Sequence, residues 1–246
     1  MDHMDQKKLQ DHLAGCMICG RELSYLAGEA LPANCYYCGK AGLTNIICPE
    51  GHYVCDQCHS KNILELVELE CIKSDLRDPV ALALKIFNLP QLHMHGPEYH
   101  SIVPAVLVAA YGNCVGQKDS RAIREAILRG KAIAGGMCGT HGACGSCVGV
   151  GIAYSIIHRA TPLSQAERGG ANRMTALALL AISETGGPRC CKREAITAIK
   201  TAKQHFGCFD QGDEAQYICR QFAKNKQCRK SDCPYYPGPA QNTDEH

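Results

Sequence analysis

Helical periodicity governs the chain from about residue 60 onward. Ile63, Leu64, Val67 and Cys71 recur on one helix face behind Ser60, a suitable N-cap, so the spacing predicts a helix over 60–76. Asp78-Pro79 reads as the cap and first residue of a second helix, carrying Val80, Ala81, Leu84 and Ile86 and stopping near Leu89-Pro90. From 101 to 112 almost every position is apolar, which marks a helix buried all round. The run 119–134 is amphipathic, with Arg121, Arg124, Glu125, Arg129 and Lys131 on its wet side. A further apolar helix is expected over 148–157. Thr161-Pro162 and Ser164-x2-Glu167, a cap and a capping box, open a long helix to about Ser183 that should be interrupted at Gly169-Gly170. A last helix is expected over 192–206.

Before residue 60 the pattern changes to paired cysteines. Cys16-x2-Cys19 is followed by Cys35-x2-Cys38, Cys48, His52 and Cys55-x2-Cys58. Each Cys-x2-Cys knuckle sets two sulfurs on one tetrahedral ion, so eight ligands imply two zinc ions. The order is either sequential or interleaved, and His59 is an alternative to His52. Gly20, Gly39 and Gly51 stand where knuckle turns need positive φ. So short a segment has too little apolar content to fold without metal, and four-sulfur sites leave no open position for substrate. The fold class is therefore mainly α: a helical domain with an N-terminal zinc-ribbon or RING-like β-hairpin module and a small C-terminal cysteine-rich metal-binding tail. The boundaries fall at 1–60, 61–207 and 208–246.

The composition adds constraints. Apolar residues make up 46% of the chain, but aromatics only 6% with no Trp, so the core is aliphatic. A net charge of +2 implies no global field for polyanions. No apolar run reaches membrane-spanning length and the polar first dozen residues are unlike a signal peptide, so a cytoplasmic protein with no membrane association is expected. In that setting eighteen cysteines point to metal or redox chemistry rather than disulfides.

The richest stretch is 135–147, which carries Cys138, His141, Cys144 and Cys147 among five glycines and runs straight into an apolar helix. Thiols at a helix N-terminus meet unpaired N–H groups and the positive end of the dipole, which favour the thiolate. Gly186-Gly187-Pro188-Arg189-Cys190-Cys191 repeats the arrangement, and the two loops should face each other. Cys138, Cys144, Cys147 and Cys190 are candidate ligands of an iron–sulfur cluster. Cys191, left free because neighbouring side chains on a helix diverge by roughly 100°, and His141 are the candidate catalytic groups. Cys114 is a reserve member and Cys71 a core residue. The spacing Cys138-x5-Cys144-x2-Cys147 is not that of a radical-SAM enzyme. The segment 92–100 reads as a loop in which His93, His95, His100 and Glu98 are either solvated or a metal or proton-handling cluster at the mouth of a site. In the tail, Cys208, Cys219, Cys228 and Cys233 are candidate ligands of a third metal, and residues 234–246 read as disordered.

The knuckle sequence Cys48-Pro-Glu-Gly-His52-Tyr-Val-Cys55-Asp-Gln-Cys58-His59, with the glycine-rich cysteine loop, resembles a prokaryotic cysteine-rich family known as a domain of unknown function. The resemblance extends over nearly the whole chain and implies no settled activity. The centre more loosely resembles a redox family marked by Gly-Cys-Ala-x-x-Gly, where this chain has Gly142-Ala143-Cys144-Gly145-Ser146-Cys147. Together these features describe a metalloprotein with structural zinc and an iron–sulfur cluster, acting in electron transfer or sulfur and thiol handling with a redox or sulfur-transfer partner. The alternative is a non-enzymatic zinc protein that binds a protein or nucleic acid through its ribbon and the basic tail.

Overall fold

The computed structural model describes residues 15–16, 21–26, 28–36, 38–59, 61–89, 92–209 and 217–237. Cys19, Gly20 and Ser60, named above as ligand, turn and cap, lie outside the described residues, as do 238–246. The N-terminal region holds two small antiparallel ladders. β1 (Ser24–Tyr25) pairs with β4 (Ile46–Ile47), and β2 (Leu31–Asn34) pairs with β3 (Ala41–Thr44). The Cys35–Cys38 knuckle is the turn of the second hairpin. Gly39 and Gly51 take the positive φ their knuckles need, and each donates its N–H to the carbonyl of the knuckle's first cysteine at 2.8 Å.

The rest is helical: α1 (Asp56–His59), α2 (Lys61–Lys73), α3 (Pro79–Phe87), α4 (Glu98–Val115), α5 (Ser120–Lys131), α6 (Met137–Thr140), α7 (Gly145–Ile157), α8 (Ala166–Thr185) and α9 (Cys191–His205). As the sequence indicates, α4 is the buried centre, and α2, α3, α5, α7 and α9 pack on it. Ile102, Leu107, Val67, Ile86, Ile123 and Ile196 are fully buried in one aliphatic core. At roughly 1.5–3 kcal/mol per large side chain, this burial is what holds the helices together. Asp78 and Asp119 cap α3 and α5 by accepting from Val80 N and Arg121 N. α4 also contains Pro104, which cannot donate to the carbonyl of His100. Gly130 of α5 brings its backbone against that same carbonyl, closer than any Cβ would permit.

Three expectations are corrected. First, α4 begins at Glu98, so Glu98, Tyr99 and His100 are helical and only 92–97 is loop. Second, α8 runs unbroken through Gly169-Gly170, and the capping box does not form. Ser164 Oγ instead meets Thr161, accepting its N–H at 3.0 Å, and Gln165 takes the cap position. Gly170 serves close packing instead: a Cβ there would strike the Tyr154 ring, and one at Gly151 of α7 would strike Thr175. Third, Pro234–Pro237 is packed rather than disordered. Tyr235 is buried, and its carbonyl accepts the Cys219 N–H at 2.7 Å. Among the described residues no helix is long and apolar enough to cross a membrane.

Candidate metal and thiol centres

The N-terminal ligands interleave. Cys35, Cys38, Cys55 and Cys58 form one group whose sulfurs lie within 4.8 Å of one another, and Cys16, Cys48 and His52 form a second. Cys16 thus shares a group with the third ligand pair, and the second and fourth pairs share the other, as in a cross-brace. Within the four-thiol group, Cys38 and Cys55 Sγ are 3.6 Å apart, and Cys55 N–H donates to Cys35 Sγ at 3.3 Å. His52 Nδ1 is 3.7 Å from both Cys16 and Cys48 Sγ. Burial and the neighbouring sulfurs push the Cys55 thiol up. Crowded thiols resist ionisation until a cation supplies the missing charge, which then makes them thiolates outright. Both groups can hold a metal ion.

The two glycine loops of the helical domain do face each other. Cys144 is the N-cap of α7 and Cys147 lies in its first turn. The Cys147 thiol donates to Cys144 Sγ, which lowers the Cys144 pKa, and the helix-end amides of Cys147 and Ser146 add to the effect. The same hydrogen bond, with burial, pushes Cys147 up. Across the gap, Cys144 Sγ donates to Glu194 Oε2 at 3.4 Å, while Glu194 Oε1 accepts the Cys190 N–H at 3.3 Å. One carboxylate therefore joins the two loops. The pair is a buried dithiol whose two sulfurs differ in acidity, Cys144 being the one its hydrogen bonds lower.

Several sequence candidates are placed elsewhere. Cys138 is exposed on the short α6, and burial of its sulfur with the nearby Glu194 raises its pKa. His141 is exposed too, with Nδ1 2.7 Å from Thr140 Oγ1, and it reaches neither loop's thiols. Cys190 and Cys191 diverge as the helix geometry requires. Cys191 Sγ turns inward, accepts the Gly96 N–H and is pushed up by burial. Cys190 turns to the tail. Cys138, Cys144, Cys147 and Cys190 thus do not gather as one tight set.

What gathers at Cys190 is the tail. Cys190, Cys219, Cys228 and Cys233 line one pocket, together with Tyr217 and Lys192. Burial pushes Cys190 up to about 11, and Lys192 down to about 8. Cys228 Sγ accepts the Lys230 N–H at 3.3 Å. The loop that delivers Cys190 is pinned by arginine: Arg193 donates to the carbonyls of Gly186 and Pro188 at 3.0 Å each, and Arg229 donates to Thr185 and Gly186. Cys208, expected to complete the tail set, lies instead beside Cys114, and burial with that neighbour pushes its thiol up to about 12. The structure thus pairs the tail's other three cysteines with Cys190.

A third ligand group was missed from sequence: His59, His93 and Glu98. His59 stood out there only as a substitute for His52, and His93 and Glu98 as members of one loop. The available signal was the histidine–glutamate density of 93–100; nothing in the spacing linked it to a residue thirty-four positions earlier.

These centres have a family context. The family of unknown function DUF5714 matches residues 67–236. The chain belongs to DUF5714. The match takes in both glycine loops and the tail cysteines of this DUF5714 protein, while the knuckles at 16–58 lie outside it. No curated protein and no solved structure matches the chain.

Proposed function

We propose that this DUF5714 protein is a metalloprotein with two structural zinc ions in its N-terminal module and an iron–sulfur cluster in the tail pocket, acting in electron transfer or thiol handling. The observation that carries the reading is the convergence of Cys190, Cys219, Cys228 and Cys233 on one pocket. Four cysteines from two segments are the usual ligand set of such a cluster. These sulfurs do not form a group within 4.8 Å, unlike the N-terminal four. That spread favours a multi-iron cluster over one tetrahedral zinc ion, because each thiolate then binds a different iron. The positive charge of Lys192 and Arg193 beside the pocket suits an anionic cluster. Thiol handling falls to Cys144 and Cys147, which Glu194 connects to the backbone of the ligand Cys190.

Anaerobic purification tests this. The expected product is brown, with iron and acid-labile sulfide in equal amounts. Cys190→Ala and Cys228→Ala should abolish the colour, and Cys191→Ala and Cys208→Ala should keep it. A colourless protein that carries only zinc would overturn the cluster reading and leave the non-enzymatic zinc protein as the better account.

A further inference from the structure

Glu98 is the most deeply buried carboxylate of the helical domain, with its side chain 0% exposed, and it faces two imidazoles. His93 Nδ1 is 3.1 Å from Oε1 and His59 Nδ1 is 3.2 Å from Oε2. All three residues offer ligand atoms within 4.8 Å of one another. They come from three places: His59 ends α1 of the N-terminal module, His93 sits in the 92–97 loop, and Glu98 opens α4. We infer that His59, His93 and Glu98 bind a divalent transition-metal ion at the seam between the N-terminal module and the helical domain.

Four observations point there. The first is separation: with bonds of about 2.0–2.2 Å, two ligand atoms on one ion lie roughly 3.0–3.5 Å apart, which brackets both histidine–carboxylate distances. The second is incomplete satisfaction. His59 Nδ1 and Glu98 Oε2 are both buried and stand 3.2 Å apart as an ion-pair contact, yet they are not aligned as a hydrogen bond. A proton shared between them would need alignment, whereas a cation placed between their lone pairs would satisfy both at once. The third is the cost of the carboxylate. A buried carboxylate is penalised by several kcal/mol unless it is well paired, and a divalent cation held between Glu98, His59 and His93 would pair it directly. The fourth is room made for the group. A Cβ at Gly96 would collide with the Glu98 carboxylate, so the loop places a glycine where the side chain folds back. The Tyr99 hydroxyl donates to the His93 carbonyl at 2.7 Å and anchors that loop.

The donor set selects the metal class. Two imidazoles and one carboxylate suit zinc or ferrous iron and leave coordination positions for water or a substrate, unlike the closed thiolate sites of the module. The inference shares no ligand with the proposed cluster or the zinc groups, so it stands or falls separately from the preceding reading.

The test is cobalt(II) binding to the full-length protein under reducing, anaerobic conditions, with metal content read by mass spectrometry and folding by circular dichroism. Wild type should bind one more equivalent than its thiolate sites account for. His93→Asn and Glu98→Gln should each lose that one equivalent, and the near-ultraviolet thiolate-to-cobalt band of the cysteine sites should persist unchanged. Folded variants that retain the wild-type metal count would overturn the inference, and so would a wild type whose bound cobalt is all accounted for by thiolate bands. If Glu98→Gln does not fold, His93→Asn decides the matter, because His93 lies in a loop and its removal leaves the buried α4 intact. An unchanged count in that variant refutes the site.

Discussion

Replacing Cys35 by serine should remove one ion and unfold the N-terminal module while leaving the helical domain folded. The reason lies in what the module buries. Among its described residues, the buried side chains are Cys16, Cys35, Thr44, Cys48 and Cys55. Leu31 and Leu43 of the hairpin are exposed, and Ile46 and Ile47 are only half-buried. The ligands are therefore themselves the core. The regular structure amounts to two two-stranded ladders, which are marginal alone in water. Ordering each backbone residue costs about 1–2 kcal/mol, and among the described residues no aliphatic side chain of the module is buried to offset it. Structural zinc supplies on the order of 10–16 kcal/mol in comparable small modules. Loss of one ion thus removes an amount comparable to the entire stability of a typical domain, about 5–15 kcal/mol. The α2–α9 core shares no ligand with the module and should be insensitive to the change. Metal analysis together with an amide proton–nitrogen spectrum reads both halves: at least one equivalent of metal lost, collapsed dispersion for residues 21–58, and preserved helical signals. A Cys35→Ser protein that keeps both ions, or loses one while its strand amides stay dispersed, would refute this account of the module.

Other outcomes follow from the helical domain. In a glutathione redox buffer Cys144 and Cys147 should form a disulfide, seen as two thiols protected from alkylation and recovered on reduction; Cys147→Ser should leave Cys144 reactive and uncrosslinked, and equal reactivity of the two sulfurs in wild type would contradict the assigned asymmetry. Cys71 is fully buried and burial pushes its thiol up to about 12, so it should resist iodoacetamide in the native protein while exposed Cys138 reacts; comparable rates would show that the site opens. Gly169→Ala, with nothing within 4 Å of the added carbon, should stabilise α8 by about 0.5–1 kcal/mol, whereas Gly170→Ala, driven into the Tyr154 ring, should destabilise by about 1–3 kcal/mol. Thermal melts should separate the two neighbours by several degrees in opposite directions, about 2–4 °C per kcal/mol for a chain of this size.

How much was legible from the sequence depended on the range of the interaction involved. The helices were readable because apolar spacing and caps are local: Asp78 and Asp119 cap where their sequences say. The helix start at Glu98 was not, because a polar His–Gly–Pro–Glu stretch resembles a loop, and the burial of Glu98 and Tyr99 is a tertiary effect outside any local pattern. Gly169-Gly170 misled for a related reason. Glycine lowers intrinsic helix propensity, but α7 packs close enough that glycine is required at Gly170, and packing carries the helix through both positions. Among the centres, the knuckle ligands were legible as a set and their pairing was not, since interleaved and sequential orders use the same spacings. The divergence of Cys190 from Cys191 followed from helix geometry, but the direction each would take depended on the tail. Cys190 meets the thiols of Cys219, Cys228 and Cys233 far along the chain, a contact that no local pattern records.

The segment from Gly186 to Glu194 explains why these parts act together. Arg189 stacks on Tyr25 of the N-terminal module with its guanidinium carbon 4.8 Å from the ring centre. Cys190 turns to the tail pocket, Cys191 accepts from Gly96 beside the His93–Glu98 loop, and Glu194 reaches the dithiol at Cys144. Four consecutive contacts with four different regions need a rigid presenter, and the chain provides one in two ways. The carbonyls of the glycine turn are held by Arg193 and Arg229, and the first turn of α9 fixes the roughly 100° step that sends adjacent thiols apart. A shift of this segment by even an ångström would alter the tail thiols, the dithiol and the module seam simultaneously. On the proposed reading Cys190→Ala should change the alkylation rate of Cys144, with Glu194 as the shortest link between them, and an unchanged rate would show that the two sites are independent.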